Sequence, residues 1–293
     1  MEIDIKSLSK NYGKKQALED INLNIQEGMF GLLGRNGAGK STLMKILATV
    51  LRKSSGNIKI CGIDVEDSSR IRNIIGYLPQ DFSMYGNMSA YEALDYIGVL
   101  CGINKKTRKE KIPKLLNKVN LENNIKTKVK AMSGGMKRRL GIAQALINDP
   151  KVIIVDEPTA GLDPEERVRF RNLLCEMAEE RIVILSTHIV GDIEATCENI
   201  AIMDEGNIIF KGTVFELLEI ARGKIYEAVI SKLELQEVKN RFNVISMISE
   251  GNLVKVRFGA REEISKVIKG AALCEPNIED SYMYLMNTKR RNN

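Results

Sequence analysis

The strongest constraint in this chain is eight residues long. Gly34-Arg35-Asn36-Gly37-Ala38-Gly39-Lys40-Ser41 fits the pattern G-x-x-x-x-G-K-[ST] at every fixed position. A short apolar run, Met29 to Leu33, precedes it. Leu43, Met44, Ile46, Leu47 and Val50 follow at helical spacing. Strand, glycine turn and helix form the context in which this pattern has a mechanism. The glycines let successive backbone N–H groups converge on one anion, and the helix N-terminus adds about half a positive charge there. Lys40 is then expected to reach β- and γ-phosphates, and the Ser41 hydroxyl a Mg²⁺ position. The predicted cradle comprises Gly34, Asn36, Gly37, Ala38, Gly39, Lys40, Ser41 and Thr42.

Two further strand ends suit the same chemistry. Val152-Ile153-Ile154-Val155-Asp156-Glu157 is an apolar run closing on two acids, which are costly there unless they face a cation or a polar site. Asp156 fits the Mg²⁺-holding acid of a P-loop nucleotidase. Glu157, on the other side of the pleat, can address an attacking water. His188 follows the run Ile182 to Leu185 and Ser186-Thr187. Ligands of open α/β sheets bind at the C-terminal ends of the parallel strands, so His188 is placed to donate to a γ-phosphate oxygen.

The rest of the chain sets the frame. At 293 residues it is long enough for roughly two domains. Around the turn and its helix, the first sixty residues read as β, alternating at Ile3–Ile5, Ile21–Ile25 and Ile58–Ile60. Residues from about 88 to 148 read as helical. Strands return at Val152–Val155 and Ile182–Leu185, followed by a hairpin turning at Glu205–Gly206. From about residue 224 the order β-α-β-β-α-β predicts a ferredoxin-like module, with helices over Leu233–Asn240 and Glu262–Ile268 and a solvated, disordered Lys289-Arg290-Arg291 tail. One histidine excludes a multi-His metal site. The five scattered cysteines read as reduced thiols. A net charge of +6 is too mild to mark a nucleic-acid binder. No run reaches the ~20 apolar residues of a membrane span, so any membrane role is expected to need a partner. Residues 105–139 hold 13 Lys or Arg and 2 acids; this reads either as a solvated face or as a surface attracted to an anionic leaflet or acidic loop.

With these residues in hand, Ala131-Met132-Ser133-Gly134-Gly135-Met136-Lys137-Arg138-Arg139-Leu140 resembles the signature of ATP-binding-cassette (ABC) ATPases. Tyr12 resembles that family's adenine-stacking aromatic, and Gln80, in Tyr77-Leu78-Pro79-Gln80, its lid glutamine. Ala160-Gly161-Leu162-Asp163 resembles its D-loop, and His188 its switch histidine. Seven motifs in order cover about residues 1–215. Met132 and Met136 depart from the usual L-S-G-G-Q; the second lacks the amide of that glutamine.

The resemblance implies an α/β P-loop nucleotidase core with an N-terminal antiparallel β layer and a helical subdomain at about 88–148. The ATP-binding domain is expected over 1–215 and the α+β module over 224–293. It also implies an ATPase using ATP and Mg, with Glu157, His188, Gln80 and Asp163 in catalytic positions and Ser41, Gln80 and Asp156 at the metal. Tyr12, the cradle and Ser133, Gly134 and Gly135 would bind nucleotide. The expected partners are a second copy, head to tail, and separate transmembrane permease subunits. The expected location is cytoplasmic, on the inner face of the cell membrane. The M-K-R-R-L continuation resembles the branch exporting drugs, antibiotics, lipids or polysaccharides. An importer subunit, or a soluble ATPase acting on nucleic acid or the ribosome, stands as the alternative.

Overall fold

The computed structural model describes residues 1–260, 268 and 270–292, the last three by backbone alone. By internal contact they form two compact units, Met1–Lys211 and Gly212–Asn293.

The first unit opens with two long strands, β1 (Glu2–Tyr12) and β2 (Lys15–Gln26). Then come β3 (Gly28–Gly34), α1 (Lys40–Leu47), β4 (Ser55–Ile60) and β5 (Ile63–Asp64). Ile3 pairs with Ile25 and with Ile60, and Ile5 with Leu23 and with Ile58. Period-2 alternation thereby puts one apolar face inward, in an antiparallel sheet of order β2-β1-β4-β5. The next elements are α2 (Ser68–Ile74), β6 (Ile75–Leu78), α3 (Ala90–Leu100), α4 (Lys105–Lys118) and α5 (Gly134–Ala145). They are followed by β7 (Val152–Asp156), α6 (Pro164–Ala178), β8 (Ile182–Thr187), α7 (Val190–Thr196), β9 (Asn199–Asp204) and β10 (Asn207–Thr213).

The second sheet has the order β10-β9-β3-β8-β7-β6, and β3, β6, β7, β8 and β9 run parallel. Every residue of β7 and β8 is buried, as expected for parallel strands covered on both faces. This is the α/β nucleotidase architecture expected from the cradle. It brings Leu33 beside Thr187 and Asp156 beside Ser186, so the C-terminal ends of β3, β7 and β8 lie together.

Val50 departs from its expected place. α1 ends at Leu47, and Val50 lies beyond it, 65% exposed. Thr49, at φ +57, turns the chain away before the apolar spacing can continue.

The second unit contains α8 (Val214–Ala221), β11 (Ile225–Ser231), α9 (Leu235–Arg241), β12 (Asn243–Glu250), β13 (Leu253–Gly259), β14 (Ala272–Leu273) and α10 (Ile278–Asn292). Its sheet has the order β12-β13-β11-β14, antiparallel at every pairing, over a core with Phe258, Val256, Ala228 and Val238. That is the ferredoxin-like strand order. Of the helix expected over Glu262–Ile268, residues 262–267 lie outside the described residues.

The expected disordered tail is instead the end of α10. Asn277 and Asp280 cap this helix reciprocally: Asp280 N–H donates to Asn277 Oδ1 at 2.7 Å, and Asn277 N–H to Asp280 Oδ2 at 3.0 Å. Ile278, Tyr282 and Met286, four residues apart, are buried. A basic run reads the same on a helix face as on a loose tail, which is why composition misplaced it.

Candidate active site

The glycine turn between β3 and α1 forms one wall of a cavity of about 600 Å³, a volume suited to a small molecule of nucleotide size. Gly39 stands at the start of α1 with φ +106, and no side chain caps that helix end. A Cβ at Gly39 would lie 2.8 Å from the Ala17 carbonyl oxygen and 2.9 Å from Leu18 Cδ2. The backbone therefore approaches β2 as closely as only glycine permits.

Lys40 is buried. Its ammonium donates to the Gly34 carbonyl at 2.7 Å and the Arg35 carbonyl at 3.3 Å. It lies 3.2 Å from Glu157 Oε1, too far off line to count as a hydrogen bond but close enough for a strong ion pair. Glu157 Oε2 meets His188 Nδ1 at 2.7 Å. One buried carboxylate thus joins the cation of the cradle to the histidine after β8. Glu157 itself sits at φ +49, with its N–H donating to the Ser186 carbonyl at 2.9 Å.

Asp156 is buried beside it and accepts a 2.8 Å hydrogen bond from Ser186 Oγ. Burial, with Asp156 adding to it, pushes the Tyr77 phenol up to about 12, so this neighbour is neutral at physiological pH.

Tyr12, Asn36, Gly37, Gly39, Lys40, Ser41, Thr42, Gln80 and Glu157 all line the cavity. Gly34 and Ala38 support the turn from behind, through the Gly34 carbonyl on Lys40 and the Ala38 carbonyl accepting from Gly206 N–H at 3.0 Å. His188 and Asp156 adjoin Glu157. Ser133, Gly134 and Gly135 are not among the lining residues; Ser133 caps α5, its Oγ accepting from Met136 N–H at 3.2 Å. Asp163 is likewise not a lining residue and caps α6, accepting from Glu166 N–H at 2.8 Å.

Several residues passed over in the sequence also belong here. Lys15, Gln16, Ala17, Arg35, Glu205 and Gly206 complete the cavity lining. The Glu205–Gly206 turn signal marked a hairpin but not its destination. Arg138, the middle residue of the basic Lys137-Arg138-Arg139 part of α5, donates to the Pro79 carbonyl at 3.3 Å, next to Gln80. Burial lowers its guanidinium, opposed by Asp81 and Asp156. Arg108, paired with Asp95 at 2.7 Å, and Arg139, 3.5 Å from Glu166, are also taken up by the fold. The basic stretch is therefore only partly a solvated face.

Comparison with known proteins agrees with this geometry. The ABC transporter family profile matches residues 18–160. The chain is 38% identical over 234 residues to an uncharacterised ABC transporter ATP-binding protein, YxlF of Bacillus subtilis, covering 79% of this chain and 78% of that one. It is 34% identical over 220 residues to the Nod factor export ATP-binding protein I of Cupriavidus pinatubonensis, covering 74% and 68%. A dimeric post-hydrolysis structure of the ATP-binding cassette MJ0796, bound to ADP and Pi, superposes with a TM-score of 0.65 at 26% identity, covering 72% of this chain and 98% of that one. With the glycine cradle, its buried lysine and the paired strand-end acids on one parallel sheet, this chain belongs to the ATP-binding proteins of the ABC transporter family.

Proposed function

We propose that this chain hydrolyses Mg·ATP as a head-to-tail pair of copies and so drives export through separate permease subunits on the inner face of the cell membrane. The observation carrying hydrolysis is Glu157, fixed between the Lys40 ammonium and His188 at the wall of the cradle cavity. A carboxylate so placed can take a proton from an attacking water. His188 orients it, and Lys40 meets the developing charge on the γ-phosphate. Tyr12, half exposed at the cavity, presents its ring for stacking on adenine.

Among the described residues no group of three or more His, Cys, Asp or Glu could hold a metal alone. Mg²⁺ is ordinarily bound through one or two carboxylates together with substrate phosphates. Asp156, Ser41 and Gln80 fit that mode and would hold it. When bound, the ion supplies charge neutralisation at the phosphates.

Ser133, Gly134, Gly135 and Asp163 lie outside this chain's own cavity lining, which supports a role for them against the nucleotide of a second copy. The loop after Gln80 supports permease docking. Exposed Tyr85 stands edge-on to Tyr96, ring centroids 5.8 Å apart. The loop is tied to the segment before Ser133 by Val129 N–H on the Met88 carbonyl and Lys130 N–H on the Gly86 carbonyl. Pressure on the loop would therefore reach the signature helix. The likeness to a Nod factor export protein favours outward transport.

Glu157→Gln keeps the shape but removes the basic oxygen. Its kcat should fall about 10²–10⁴-fold while ATP binding by calorimetry survives. Wild-type turnover in this variant would refute the assignment of the base. Co-purification of the full chain from native membranes without any polytopic protein would refute the permease.

A further inference from the structure

Three links join the segment after β7 to the end of β8 and the residues that follow it. Two are the Glu157 N–H on the Ser186 carbonyl and the Glu157–His188 side-chain pair. The third lies farther out, where Thr159 Oγ1 donates to Asp192 Oδ2. Asp192 is in the first turn of α7, four residues beyond His188, and is wholly buried.

Its other oxygen, Oδ1, lies 3.7 Å from Arg171 Nη1 and 4.0 Å from Arg167 Nε. Both are ion-pair distances rather than hydrogen bonds, and Oδ1 and Arg167 Nε are each buried without a hydrogen-bond partner. Arg171 gives its hydrogen bond to the Gly191 carbonyl instead, at 3.0 Å. Both arginines are on α6, the helix that Asp163 caps. One carboxylate therefore touches the loop leaving Glu157, the helix beyond that loop, and the helix that follows His188.

None of the phosphate chemistry above uses this group, and a buried carboxylate oxygen without a hydrogen bond is costly to keep. The residue it anchors lies two positions from Glu157, which holds a left-handed backbone angle. Such an angle persists only when the surroundings over-determine it.

We propose that Asp192 is a positioning residue for hydrolysis: through Thr159, and against Arg167 and Arg171, it sets the path of the chain after Glu157 and so holds that carboxylate toward His188 and Lys40. This rests on the hydrolytic reading. On that reading the residues for adenine and phosphate lie on β1, in the turn before α1 and in its first turn, none of which gives Asp192 a side-chain hydrogen bond or ion pair. Its loss should therefore act on turnover rather than on nucleotide affinity.

The test uses the full chain. Thr159→Val removes the hydroxyl alone, and Asp192→Asn removes the charge at constant size. Each should lower kcat about tenfold, within the range of coupling between contacting residues, with KM for ATP unchanged within about twofold. Thr159→Ser, which keeps the hydroxyl, should restore kcat. A second readout needs no activity: amide hydrogen exchange over residues 157–163 should quicken about tenfold in Thr159→Val, while exchange over residues 37–42 stays as in wild type. Should Asp192→Asn fail to fold, the Thr159 pair carries the test.

Equal losses in kcat and affinity, or a Thr159→Ser chain no better than Thr159→Val, would overturn the proposal. So would unchanged exchange over 157–163. A wild-type chain with no ATPase activity would instead refute hydrolysis itself, and the exchange comparison would then decide the anchor alone.

Discussion

Two glycine-bearing helix starts in this chain have opposite electrostatic designs. At α1, Gly39 holds a backbone angle that side chains avoid, no side chain caps the helix, and a buried lysine stands at its first position. At α5, Ser133 caps the helix with its own hydroxyl, and both Ser133 and Gly134 are exposed. A Cβ at Gly134 would meet nothing within 4 Å, whereas one at Gly39 would collide with β2. The first start is enclosed within one chain. The second is open to solvent, and on the proposed reading it is a half-site that a second copy completes. A glycine beside a helix N-terminus is thus no site by itself. The fold around it decides whether the positive end is enclosed or open.

The contrast can be attacked directly, beginning where the effect is largest. Gly39→Ala forces a Cβ toward the Ala17 carbonyl at a positive φ. Strain of this kind costs about 1–3 kcal/mol, so ATP affinity should fall by up to about 100-fold, read by calorimetry on dilute chain. Retained affinity would mean that the turn tolerates another path.

Ser133→Ala comes next. Losing this cap should cost about 1 kcal/mol and lower the melting temperature by roughly 2–4 °C. ATP affinity of the dilute single chain should be unaffected, and a tenfold loss there would place Ser133 in its own chain's site. Gly134→Ala should have the smallest effect, leaving both melting temperature and dilute-chain ATP affinity unchanged within error. It sharpens the comparison if activity at high protein concentration nevertheless falls.

Legibility followed the range of the interaction. The cradle could be read because its glycines, lysine and hydroxyls, from Gly34 to Thr42, are contiguous. The strands β7 and β8 could be read because unbroken apolar runs suit only doubly covered strands. Asp163 was expected among catalytic groups, and its visible role within one chain is to cap α6. The two roles share one local pattern, Asp followed by Pro and acids, and sequence cannot separate them. Arg138 and Arg139 were hidden in a basic cluster because the partners that bury them, Pro79 and Glu166, come from other elements. Thr159 and Asp192 left no local signal at all: neither belongs to a motif, and they are 33 positions apart.

The sequence by itself determined the turn, the strand ends and the identity of the polar groups they carry. Backbone freedom at glycine, helix polarity and residue chemistry depend only on near neighbours in the chain. The tertiary structure decided which groups face one another. Strand order β3-β8-β7 carries Lys40, His188 and Glu157 to one edge from positions more than a hundred residues apart in the case of Lys40 and Glu157. It also enclosed the helix end at Gly39 while leaving the one at Ser133 exposed. These outcomes depend on register and packing across the sheet, where the energy of each contact is set by partners that no local stretch of sequence contains.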